Sequence, residues 1–143
     1  MLQHTALDIQ QRENEGILIL DLRGKVEMNH GDITLRDRVE ALLGQGNRQL
    51  ILDMAQVSAI DTVGSSIVLE LAQQYQAAAG KLVLLKVDSV HAEIYEMARL
   101  EAVIEIYSVE LDAVNSFFPD RAVRHYDILE YVESQHEDHD DQE

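Results

Sequence analysis

The sequence contains no cysteine and no tryptophan, a single proline and few aromatics. Without cysteine there are no disulfides, no thiolate metal sites and no thiol chemistry. The longest apolar runs are too short to span a bilayer. The opening residues "MLQHTALDIQ" lack the basic and apolar segments of a signal peptide, so a cytoplasmic protein is expected. Lysine and arginine are also scarce, 11 against 27 acids, for a net charge of −16. Phosphate backbones are held by Lys and Arg, and the few present are scattered. Nucleic acid and anionic membranes are therefore not expected as partners, whereas a basic protein partner is compatible with the charge. Six of the acids lie in residues 133–143, and the rest of the chain is acidic without them.

What is present is a globular composition, 46% apolar in 143 residues, which fits one domain. "ALDIQQREN" predicts a strand that pairs through the "ENEG" turn with a second, "GILILDLRG", closed by Gly24. "DITLRDRVEALLGQG" predicts a helix with Ile33, Leu35, Val39, Leu42 and Leu43 toward one face, ended by Gly44 and Gly46. "RQLILDM" and "KLVLLKV" are continuous apolar runs of the kind buried on both faces of a sheet. Between them a helix runs from about Gly64 to Ala79, stopped by Gly80. "DSVHAEIYEMARL" predicts a helix capped by Asp88 or Ser89, with Val90, Ile94, Met97 and Ala98 on one face. A short strand "AVIEIY" follows, and "SVELDAVNSFF" is a helix with Ser108 placed to cap it and Pro119 ending it.

The order β-β-α-β-α-β-α-β-α implies an α/β fold, with a mixed, mostly parallel sheet covered by helices. Residues 1–118 form the domain. Residues 119–143 form an extension, with a helix over 122–134 and a disordered acidic tail over 135–143. Val123, Tyr126, Ile128, Leu129 and Val132 give that helix its apolar residues.

In such sheets, sites lie where strands hand over to helices. The stretch "SAIDTVGSS" occupies one of these edges. Asp61 and Thr62 both suit the N-cap of the helix that follows, because their side-chain oxygens accept from its first free N–H groups. The same edge tolerates negative charge. A phosphate on Thr62 would add roughly −2 charge and three acceptor oxygens there without breaking the fold.

Other groups fall short of a site. Ser65 and Ser66 have no "GxSxG" context and no assignable base. "GQGN" precedes a strand rather than a helix, which excludes a phosphate loop. His136 and His139, with His125, stand in or near the acidic tail and define no ligand set, and His30 and His91 read as surface or capping residues. No catalytic residue, metal or cofactor is expected, and the chain is not expected to be an enzyme.

The stretch "LILDMAQVSAIDTVGSS" resembles the phosphorylation loop of STAS-domain anti-sigma-factor antagonists. There an aspartate, a phosphorylatable Ser or Thr, a small residue and a glycine follow a strand. "GKVE", Gly24 to Glu27, is similar to an early motif of the family, and "GKLVLLKVDSVHAEIYEMARL" to its later strand and helix. The resemblance covers about residues 7 to 118. This chain has Thr where Ser is commoner, Val63 for a small hydroxyl residue, and "GSS" for "GLG".

The resemblance implies a partner switch. The unphosphorylated protein binds a serine/threonine kinase anti-sigma factor. Phosphorylation releases it, and a PP2C-type phosphatase reverses the change. It further implies that Thr62 is the phosphoacceptor, Asp61 its flanking acid, Glu27 a nearby loop acid and Gly64 the residue that keeps the loop compact. Val63 and Ser65 complete the partner-binding loop. A monomer or weak homodimer is expected. The competing reading is a constitutive STAS scaffold module in a signalling or transport complex, without a phosphoswitch.

Overall fold

A computed structural model describes residues 7–88, 94 and 104–121. Five strands form one sheet in the order β1-β2-β3-β4-β5: Asp8–Asn14, Ile17–Val26, Gln49–Ile60, Lys81–Leu85 and Ile106–Tyr107. β1 and β2 are antiparallel, and β2 through β5 are parallel. The helices are α1, Gly31–Gly44, α2, Thr62–Ala77, and α3, Glu110–Asn115. The mixed, mostly parallel sheet with helical cover expected from the sequence is the observed fold. None of the described helices is long and apolar enough to cross a membrane.

The "ENEG" turn forms as read. Glu15 and Gly16 both take positive φ, 52° and 84°. That conformation gives a two-residue hairpin the right-handed twist of its strands.

Alternation along the strands builds two cores. Leu20, Leu22, Leu50, Leu52, Met54, Leu82 and Leu84 face one side, where they pack with Leu35, Val39 and Leu42 of α1 and Val68, Leu71 and Tyr75 of α2. Ile17, Ile19, Ile51, Val83, Leu85 and Tyr107 face the other, against Ala113 and Val114 of α3. β3 and β4 are thus buried on both faces, as their unbroken apolar runs require.

Several local expectations are corrected. Gly24 does not close β2: it lies inside the strand at φ 118°, beside an irregularity in the β2–β3 register, and pairing resumes to Val26. β3 runs beyond "RQLILDM" to Ile60, because Gln56, Val57, Ala59 and Ile60 continue to pair with β2. Ile33 is exposed, since the apolar stripe of α1 runs through Leu35, Val39 and Leu42. Val109, not Ser108, is the N-cap of α3, and it makes no side-chain cap bond.

α1 and α2 end in the same hydrogen-bond pattern with different residues. In α1, Gly46 at φ 101° donates to Leu43 O, and Asn47 N donates to Leu42 O. In α2 the equivalent left-handed position is Ala79, φ 64°, while Gly80 N donates to Tyr75 O at 2.7 Å. Gly80 is therefore not the residue that reverses the chain. It is there for clearance, because a Cβ on it would lie 2.6 Å from Arg48 O.

At Asp21 and Asp53 the second face carries charge where the first carries leucine. Asp21 and Asp53 are neighbours across β2 and β3. Arg12 of β1 reaches both, at 2.7 and 3.3 Å, and pairs in two-pronged fashion with Glu110 of α3, at 2.9 Å for each contact. Asn14 adds a 2.7 Å bond to the same carboxylate. The Arg12 hydrogen bond holds Glu110 below its ordinary pKa, against the opposing effect of burial. This network fastens α3 to the sheet. The expected helices over 88–100 and 122–134, the tail over 135–143, and His91, His125, His136 and His139 lie largely or wholly outside the described residues.

Candidate functional site

The end of β2, the turn into α1 and the start of α2 meet at the C-terminal edge of the parallel strands. Two glycines make the meeting possible. A Cβ on Gly31 would lie 1.9 Å from Lys25 O, and one on Gly64 would lie 2.0 Å from Val26 O. Both helix starts therefore press directly on consecutive carbonyls of the β2 end, a contact that any larger residue would prevent.

Asp61 is the N-cap of α2, in extended conformation at φ −104°. One carboxylate oxygen accepts from Gly64 N at 2.8 Å and the other from Met28 N at 3.0 Å. Its backbone is engaged as well, with Asp61 O accepting from Ser65 N at 2.9 Å and Asp61 N donating to Val26 O at 3.4 Å. Burial alone would raise the Asp61 pKa. The N–H groups of Gly64, Met28, Asp61 and Val63 outweigh that and hold it below the ordinary value. The group stays a carboxylate at neutral pH.

Of the two residues that suited the cap, Asp61 takes the role. Thr62 is the first helical residue and is exposed. Its side chain is thus presented at the helix start, where the backbone dipole favours negative charge, but beside a carboxylate that already occupies the cap. Val63 is half-buried and Gly64 is buried. Ser65, expected as part of the binding loop, is 1% exposed and turned inward, and its hydroxyl finds no hydrogen-bond partner among the described residues. It lies beneath the loop surface rather than on it. Ser66 is exposed.

Glu27 is half-buried and lies next to Met28, the residue that Asp61 holds. Its carbonyl accepts from His30 N and Asp32 N, and Asn29 takes φ 76°, which closes the turn into α1. The structure thus brings Glu27, Asp61, Thr62 and Gly64 to one edge from segments more than 30 residues apart.

Two neighbours were missed by sequence reasoning. Met28 is 54% exposed and Ile33 49%, on the turn and the first turn of α1. The signal was present, since both are apolar residues in the otherwise polar run "EMNHGDI". Among the described residues no His, Asp and Glu cluster could hold a metal ion.

The family model for the STAS domain matches residues 8–113. No curated protein matches the chain. Among solved structures, an anti-sigma factor antagonist from Mycobacterium paratuberculosis superposes with a TM-score of 0.66 at 14% identity, covering 81% of this chain and 97% of that one. The Bacillus cell fate determinant SpoIIAA in its phosphorylated form gives 0.60 at 19%, covering 77% and 99%. RsbS S58E of Moorella thermoacetica gives 0.60 at 11%, covering 76% and 96%.

Proposed function

Because this chain belongs to the STAS-domain family, we propose that it works as an anti-sigma-factor antagonist whose partner binding is switched by phosphorylation of Thr62. The observation that carries this reading is the placement of Thr62. It is an exposed, hydroxyl-bearing residue at the first helical position, beside the Asp61 carboxylate, on an edge built without bulk at Gly31 and Gly64. A kinase needs an accessible acceptor on a rigid scaffold, and Ser65, being buried, does not offer one.

The switch works by charge rather than refolding. Unmodified, the edge presents Thr62, Val63 and Met28 to a serine/threonine kinase anti-sigma factor. Modified, it presents a group of roughly −2 charge beside the carboxylates of Asp61 and Glu27. Like charges brought together in a desolvated interface cost several kcal/mol, so the complex dissociates. A PP2C-type phosphatase restores the binding form. The chain acts as a ligand for these enzymes and carries out no chemistry of its own.

The test is labelling of the purified chain with radioactive ATP by candidate histidine-kinase-like ATPases encoded beside its gene. Label on Thr62, lost in Thr62→Ala, supports the reading. A wild-type chain that binds such an ATPase but is never labelled would instead be a constitutive binding module.

A further inference from the structure

Building on that reading, we infer that Met28 and Ile33 are the apolar anchors of the docking surface, and that they fit a protein partner whose apolar pocket is bordered by lysine or arginine. Among the described residues four large apolar side chains are prominently exposed: Met28, Ile33, Val109 and Leu111. They divide into two pairs. Val109 and Leu111 belong to the start of α3, on the second face of the sheet. Met28 and Ile33 flank the edge that carries Thr62.

Their position there is fixed. Met28 N is bound to the Asp61 carboxylate at 3.0 Å, and α1 begins against the β2 end through the close contact at Gly31. A backbone already fixed adds little ordering cost of its own on binding, and a few well-buried anchors carry most of the affinity in protein interfaces.

The charge around the pair selects the occupant. Glu27 and Asp61 are the half-buried acids of this edge, with Asp32 buried at the start of α1, against the exposed Lys25 and His30. A second copy of this chain would bring the same acids together, and each copy carries −16 overall. A basic border on the partner answers that charge and steers its approach. The Asp61 carboxylate then has a positioning role beyond flanking the acceptor, since it ties Met28 to the edge that is modified.

Two double variants test this, M28S/I33S and V109S/L111S. All four side chains are exposed, so circular dichroism should be unchanged in both. In calorimetric titration against the kinase that labels Thr62, the first should raise Kd by at least about tenfold and the second by less than about twofold. Equal losses, or a loss confined to the second, overturn the inference. A second arm needs no kinase. The nitrogen-15-labelled chain is titrated with a helical peptide bearing a leucine face flanked by lysines. Shift changes centred on Met28, Ile33 and Val63 support the inference, while changes centred on Val109 and Leu111, or none, overturn it. Failure of the phosphoswitch has a different signature: Thr62 is never labelled, yet M28S/I33S still loses peptide binding.

Discussion

The Asp61 carboxylate holds the backbone N–H of Met28 at 3.0 Å while its other oxygen caps α2 through Gly64 N at 2.8 Å. One side chain therefore joins the β2–α1 turn to the helix that presents Thr62. Asp61→Ala removes both bonds and should cost about 1–2 kcal/mol. Thr62→Ala, at an exposed non-capping position, should cost less than about 0.5 kcal/mol. Urea denaturation of the two variants checks the order. Equal costs would show that the cap does not rest on Asp61.

Glycine substitutions should separate the site from the rest of the fold. Gly64→Ala places a methyl 2.0 Å from Val26 O, a backbone atom that cannot step aside cheaply. A loss of about 1–3 kcal/mol or more is expected. Gly44→Ala, also helical, meets nothing within 4 Å and should gain about 0.4–1 kcal/mol. At Ala79 the sense reverses. Its φ of 64° is a left-handed conformation that glycine adopts freely, so Ala79→Gly should stabilise by roughly 1 kcal/mol. Thermal melts of the three variants give the signs.

These positions show why part of the molecule was legible in the sequence. The unbroken apolar runs of β3 and β4 and the stripe of α1 each had one good burial solution, so strands, helices and their order followed from periodicity. Asp61 before a helical run announced a cap. The end of β3 was not legible, because "AQVSAI" pairs with β2 only through a register irregularity that no local pattern records. The choice between Asp61 and Thr62, and the inward turn of Ser65, depend on where Val26 and Met28 arrive from a distant segment. The Arg12 network was foreshadowed by Asp21 and Asp53, single acids closing apolar runs, but their shared partner comes from β1 and α3.

Acid should weaken the fold in a defined direction. Asp61 and Glu110 are both held below their ordinary values of 3.8 and 4.5. A carboxylate with a depressed folded pKa contributes stability that is present above its unfolded pKa and lost as pH falls through the folded one. Stability should thus be flat near neutrality and decline below about pH 4–4.5. Glu110→Gln and Asp61→Asn should each be less stable at pH 7 and show a shallower acid decline. Arg12→Ala should cost about 1–3 kcal/mol at pH 7, since it leaves Asp21, Asp53 and Glu110 facing one another in a partly solvated site. Denaturation curves at pH 3, 5 and 7 decide the matter.

The last prediction concerns the proposed switch itself. Thr62 is exposed and is not the cap, so Thr62→Glu should leave circular dichroism and melting temperature close to wild type. The added carboxylate would stand at a helix start, where negative charge is tolerated, but within an edge already bearing Asp61 and Glu27. Against a partner shaped for the uncharged hydroxyl, that charge must be desolvated beside two others, a penalty of several kcal/mol. Binding to the kinase should fall by at least about tenfold, which is 1.4 kcal/mol, while Thr62→Ala binds as wild type does. Calorimetric titration showing Thr62→Glu as tight as wild type would remove the charge mechanism. Loss of binding together with loss of the folded spectrum would do the same, because the effect would then arise from the scaffold and not from the modified surface.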